Sequence, residues 1–243
     1  SCSARLPIYV LFSQMFFPEN AMVVAFSLYV LGLVVAVLIA FLTHLIDKKH
    51  DREDTLLIEL PEFKAPSAHT IAIYVWEKVK DYLTKAGTTI FLASIVMWFL
   101  LNFGPSGYST DMGSTFGSVL GRWIVPFFAP IGLGFWQVVV ALIAGISAKE
   151  VVVSSCAVLF GISNVTTAAG MSSLMATLGG MGFGALNAYC LMTFSLLYVP
   201  CAATLATIKK ETGSWGWTGF VALFQIAVAW LVTFLVYHVG LLL

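Results

Sequence analysis

From Val151 to Ile208 the chain runs through 58 positions without one Asp, Glu, Lys, Arg or His. Soluble domains carry charge at about a quarter of their positions, so a soluble fold does not leave a stretch of this length bare. The whole chain agrees: of 243 residues, 60% are hydrophobic and 10% charged, and mean hydropathy is +0.95. The solvent that suits this composition is lipid. The fold class expected is all-α, a polytopic helical membrane protein with broken or re-entrant helices. A formal net charge of zero argues against nucleic acid as a partner. The four cysteines, Cys2, Cys156, Cys190 and Cys201, form no CxxC pair and no Cys/His cluster. That excludes a zinc ribbon and argues against a disulfide framework.

Residues 1–46 read as one membrane segment. Ala21 to Ile46 is the clearest span, with no charge except a possible one at His44 near its end. At about 1.5 Å per residue it crosses a bilayer with some tilt. Pro18-Glu-Asn20 breaks the chain before it, and Leu6 to Phe17 is too short to span, which fits a half-helix. Residues 47–85 hold 7 of the 12 Lys/Arg and 8 of the 12 Asp/Glu, and positive residues beside membrane ends favour the cytoplasm. Ile71, Tyr74, Val75, Val79, Tyr82 and Leu83 form an apolar stripe at helical spacing. This stretch reads as an amphipathic helix on the membrane surface, with Asp81 and Lys85 placed to pair.

Residues 86–243 form a second membrane region. Ala86 to Phe103 reads as a span, and Gly104 to Gly121 as a Gly/Ser-rich outer loop. Trp123 to Ile146 carries Pro126, Pro130, Gly132 and Gly134. That predicts a short segment, a break, and a helix from about Phe135 through Lys149 and Glu150 to Phe160. Gly161 to Gly184 reads as a loop with a short helix. Ala185 to Ile208 is apolar but interrupted by Pro200, and Trp217 to Leu243 is the last span. If every segment crosses fully, Lys209 and Lys210 fall outside, against the positive-inside rule. A single re-entrant segment removes the conflict.

Lys149 and Glu150 are the only charges between Arg122 and Lys209. A charge at the centre of a bilayer costs about 2.5–3.5 kcal/mol on insertion scales, so each must face protein or water. On a continuous helix Ser147 and Ser154 lie at i−3 and i+4 from Glu150 and share its face. A carboxylate with two hydroxyls suits a hard or borderline cation, or a proton relay. The bland alternative is a structural carboxylate paired with Arg5, Arg122 or a distant amine. Pro200 removes one N–H and clashes with the carbonyl of Leu196, which is thereby freed. Freed carbonyls in broken membrane helices recur at ion sites. Cys201 follows directly, and a thiolate is a ligand for Fe(II), Zn or Cu(I); its alternative is a small packed hydrophobe. Cys2, Arg5 and Pro7 repeat the theme of a thiol, a charge and a helix-breaking proline. Arg5 is either a partner for Glu150 or an anchor at the interface. Cys156, Cys190, Met171, Met175, Met181 and Met192 read as packing residues. His44, His50, His69 and His238 sit near or beyond membrane ends. No nucleotide-binding motif occurs.

Four motifs, in order, resemble one family: Cys2-Ser-Ala-Arg-Leu-Pro-Ile-Tyr9; Trp76-Glu-Lys-Val-Lys80 followed by Lys85-Ala-Gly-Thr88; Ile146-Ser-Ala-Lys-Glu-Val-Val-Val153; and Tyr198-Val-Pro-Cys-Ala-Ala-Thr204. Together they are similar to the C-terminal membrane half of ferrous iron transport protein B. The resemblance implies a multi-pass transporter of the bacterial or archaeal inner membrane, with Fe(II) as transported substrate. Residues 1–46 would be its central segment and 86–243 its second gate module, of nucleoside-recognition type. It also implies a cytosolic GTPase domain and a first gate module on the N-terminal side. Neither is among these residues, so no GTP site is assigned here. The chain is expected to be a fragment or one half of a split transporter. Its partners would be that N-terminal half or a separate chain carrying it, the lipid bilayer, and in one arrangement a second copy.

The leading expectation is therefore inward transport of Fe(II). Cys2, Cys201 and Glu150 are the metal ligands; Ser147, Lys149, Ser154, Thr204 and Arg5 line the path; Pro7 and Pro200 act as hinges. The alternatives are a non-transporting gate-type scaffold and a transporter of another divalent cation or small solute. An enzyme is not expected, because no nucleophile is paired with a base.

Overall fold

The computed structural model describes residues 2–47, 67–85, 87–88, 91–105, 107–109, 112–147, 149, 151–162, 165 and 167–242. Apart from one short hairpin, Phe103–Gly104 against Gly107–Tyr108, the regular elements among them are helices.

A 3-10 turn at Ser3–Arg5 leads into α1 (Leu6–Phe16). Ile8, Tyr9, Leu11, Phe12 and Met15 are all buried, while Leu6, Val10 and Gln14 are exposed, so this half-helix packs one face into the protein and leaves the other outside. Pro7, expected to break a helix and act as a hinge, does not break one. It sits in the first turn of α1, where its missing N–H has no intrahelical acceptor to lose. After a turn at 18–20 comes α2 (Ala21–Asp47). It is apolar along most of its length, yet among its described hydrophobic side chains only Leu28 and Val35 are buried, as expected of a helix with lipid on most sides. Gly32 lets α2 approach the side chain of Leu196.

In α3 (Ala68–Lys85) the described side chains are exposed, with Ile71, Tyr74, Val75, Val79 and Leu83 of the apolar stripe among them. The side chains of the expected Asp81–Lys85 pair, like the charged segment 48–66, lie outside the described residues. Where a span was expected over Ala86–Phe103, the helix described is α4 (Phe91–Asn102), 12 residues long.

The expected outer loop Gly104–Gly121 is corrected in its second half, which is helical. Here α5 (Phe116–Phe128) begins, capped by Thr115, whose side chain accepts from the Ser118 N–H. Ser118 Oγ donates to Gly113 O at 2.7 Å. The glycines that read as loop residues are contact points: Gly117 packs on Leu100 and Leu101, and Gly121 on Val140 and Trp136.

The break expected before Phe135 is present. A 3-10 turn, Ala129–Ile131, ends at Gly132 with φ 75°, which L side chains resist. Then α6 (Trp136–Ser147) departs at 101° to the preceding helix. Past it lie α7 (Val151–Leu159), α8 (Ala168–Gly180), α9 (Ala185–Leu197), α10 (Ala202–Thr212) and α11 (Trp215–Leu242). The continuous helix expected through Lys149 to Phe160 is wrong. Lys149 is a turn residue between α6 and α7, and Val152 N–H donates to Lys149 O at 3.3 Å.

The core forms around α9, which is buried from Cys190 through Leu196 and packs against α11, α1 and α2. Among the described residues, three helical stretches are long and apolar enough to cross a membrane: Ala21–Leu45, Ala185–Thr212 and Trp215–Leu242. The bent α5–α6 pair makes a fourth if it is counted as one broken span.

The α6–α7 contact depends on Gly145. Val152 and the Tyr198 hydroxyl stand where its Cβ would go. Gly145→Val should cost about 1–3 kcal/mol through overpacking, read as a lower Tm of the purified protein in detergent. An unchanged Tm would show that the contact yields freely.

Candidate functional site

Pro200 decides the local geometry. It ends the helical ladder of α9, and the chain runs extended through Tyr198 (ψ 176°) and Cys201 (ψ 160°) before α10 starts. A break in an apolar span leaves carbonyls without N–H partners, and lipid offers none. Two of them accept from cationic side chains of distant elements. Arg5 Nη1 donates to Leu196 O at 2.6 Å, and Lys149 Nζ donates to Val199 O at 2.6 Å. Leu196 O is the carbonyl that Pro200 was expected to free.

Tyr198 organises the other side. Its ring stacks on Phe194 with centroids 5.4 Å apart, and its hydroxyl donates to Leu142 O of α6 at 3.3 Å. The Lys149 ammonium lies 3.1 Å from the ring centroid, a close cation–π contact. Lys149 is only 3% exposed, so the charge is held by a carbonyl dipole and a ring face inside the protein.

The thiols stand at the edge of this cluster. Cys201 is the N-cap residue of α10 and half-buried, with Sγ 3.4 Å from Thr204 Oγ1. Cys2 is exposed, and its carbonyl accepts from the Arg5 N–H at 3.2 Å. Arg5, Cys201 and Cys2 are all within electrostatic reach of Lys149. The fold thus gathers five of the residues singled out in sequence: Cys2, Arg5, Lys149, Cys201 and Thr204. No group of three His, Cys, Asp or Glu close enough to hold a metal occurs among the described residues.

The two serines are not part of it. Because the helix is interrupted at Lys149, Ser147 and Ser154 belong to different helices and share no face. Ser147 is buried and donates to Ala144 O at 2.6 Å, while Ser154 is exposed and donates to Val151 O at 3.1 Å. Glu150 lies outside the described residues. Cys156 and Cys190 are buried in the core, where a thiol packs as a small hydrophobe.

A cleft of about 230 Å³ opens beside the break, bounded by α2, α9, α11 and the Arg5 side chain. Arg5 and Gln225 are among the residues that line it, and their Nε and Oε1 atoms are buried without a hydrogen-bond partner among the described residues. Sequence reading missed Gln225 and the ring of Tyr198. The signal for the first was available, since Gln225 is a lone amide in the apolar run of α11. The Tyr198 ring gave none, because its role depends on the long-range approach of Lys149.

The family model for Gate, nucleoside recognition, matches residues 83–215, more than half of the chain. The chain belongs to the Gate family. A second model, the C terminus of ferrous iron transport protein B, matches residues 25–78. Within this Gate-family chain, Lys149, Tyr198, Val199 and Cys201 fall inside the Gate match, whereas Cys2 and Arg5 precede both matches. Similar curated proteins include an Fe(2+) transporter FeoB of Staphylococcus aureus, 39% identical over 99% of this chain and 35% of the relative. An Fe(2+) transporter FeoB of Methanocaldococcus jannaschii is 39% identical over 100% and 36%. An Fe(2+) transport protein A/Fe(2+) transporter FeoB fusion protein of Porphyromonas gingivalis is 31% identical over 100% and 33%. The chain spans about a third of the length of these relatives. No solved structure matches it.

Two outcomes follow from the geometry. Arg5→Met should leave Leu196 O unpaired in apolar surroundings and destabilise the protein by about 1–3 kcal/mol, seen as a lower Tm that Arg5→Lys partly restores. In detergent, a thiol reagent should modify Cys2 and Cys201 first, and Cys156 and Cys190 only on unfolding. Mass spectrometry of the labelled protein distinguishes the four.

Proposed function

We propose that this chain is the membrane-permease part of a GTP-dependent Fe(II) uptake transporter of the bacterial or archaeal inner membrane, and that the break between α9 and α10 lies on the ion path. The observation that carries this reading is the break itself: an apolar span opens at Tyr198–Cys201, and its Val199 carbonyl already holds a cation, the Lys149 ammonium at 2.6 Å. A site that accommodates one positive charge in this environment has the donors to accommodate another.

Fe(II) is the substrate in this reading. Its ligands would come from the Cys201 and Cys2 thiolates, with the Glu150 carboxylate contributed by the segment next to Lys149. Sulfur and oxygen donors together suit a borderline divalent ion. Carbonyls at the break would replace part of the hydration shell, and Thr204 steadies Cys201. Pro200 lets α9 and α10 tilt independently, which is the hinge role proposed for it. The names of the relatives support iron as the cargo, and the match to the iron-transport C terminus supports it independently. Coupling to GTP would reside in residues beyond those described, on the same polypeptide or on a separate chain.

The test is Fe(II) uptake by cells expressing this chain together with its GTPase-bearing part. Cys201→Ser and Glu150→Ala should each depress uptake several-fold while the protein stays in the membrane. Normal uptake by both variants would remove these residues as ligands.

A further inference from the structure

We propose that Lys149 is a built-in competitor for the transported cation, its ammonium occupying the Val199 carbonyl and the Tyr198 ring face that an incoming ion must take. The inference rests on the ion-path reading above and adds to it a site, the carbonyl and the ring, and a residue that keeps that site filled.

Three features separate Lys149 from an ordinary buried cap. Its position comes first. It is a turn residue between α6 and α7 rather than part of either helix. Arg5 differs in this respect, because it is fixed in the turn that starts α1.

Then there is the kind of contact. A carbonyl oxygen at 2.6 Å and a ring centroid at 3.1 Å attract positive charge without demanding a particular cation. Lys presents a compact point charge on a flexible stem, unlike the rigid planar fork of Arg. An ammonium bound to two uncharged groups can be displaced by a metal ion that binds the same oxygen and the neighbouring thiols together.

The third feature is the company it keeps. Cys201 and Cys2 are both within electrostatic reach of the ammonium. A divalent ion entering between these thiols would repel Lys149 from Val199 O. Withdrawal of the ammonium would then accompany loading, and its return would accompany release. The device would keep the break closed to monovalent leak while no cargo is present.

The experiment uses the full chain in lipid nanodiscs, with Mn(II) as the probe and its free concentration followed by electron paramagnetic resonance. If the ammonium holds the site about nine-tenths of the time, removing it raises apparent affinity about tenfold. Lys149→Met should therefore bind Mn(II) about tenfold more tightly than the wild type, and Lys149→Arg, which keeps the charge, should not. A second measurement needs no variant: saturating Mn(II) should raise acetylation of Lys149 in the wild-type protein several-fold, read by mass spectrometry. This decides the matter even if Lys149→Met fails to fold. Mn(II) binding that is indifferent to position 149, with unchanged acetylation, overturns the competition and leaves the ion path standing. Absence of Mn(II) binding by the wild type and both variants, with no thiolate charge-transfer absorption on adding Co(II), removes the cation site, and this proposal with it.

Discussion

The structure depends on one constraint: in lipid, every carbonyl released by a helix break must be given a donor from inside the protein. The breaks here are met by side chains reaching across from other elements. Asn187 Nδ2 donates to Gly132 O at 2.6 Å, where α5 gives way to α6. The Trp230 indole donates to Phe127 O at 2.9 Å, close by Pro126. Arg5 and Lys149 do the same for Leu196 and Val199. These long-range bonds hold the half-helices in place, since an apolar surface gives no hydrophobic preference for protein over lipid.

The same constraint shapes the chemistry of the site. A break that exposes carbonyls can hold a cation, and here the cations are the protein's own. That places two cationic side chains beside the two thiols, in the region that the proposed ion path would cross. A metal path in this fold is therefore bound up with where Arg5 and Lys149 go. The cleft lined by Arg5, Gln225 and Pro200 adjoins the break, so movement at Pro200 would be felt there too.

Much of the fold was legible in the sequence because lipid imposes a simple rule on composition. The long spans at α2 and α11 follow from uninterrupted apolar runs, and the breaks at Gly132 and Pro200 follow from backbone chemistry that no tertiary context can repair. Other features were misread for physical reasons. Gly117 and Gly121 looked like loop residues, but small residues serve equally to let helices approach in a membrane. The segment around Lys149 looked helical because a long, mostly apolar run without a proline continues on both sides of the pair. The turn there is visible only once α7 is seen packed back on α6 through Gly145 and Val152.

The sequence by itself determined that the chain is a helical membrane protein, that α9 must break before α10, and that a freed carbonyl would lie at Leu196. These are local matters: hydropathy along a span and a missing N–H. Only the tertiary structure decided which groups meet at the break. Arg5 is 191 positions from Leu196, and Lys149 is 50 from Val199. Such pairings depend on how helices pack, and no short-range pattern of residue types encodes that packing.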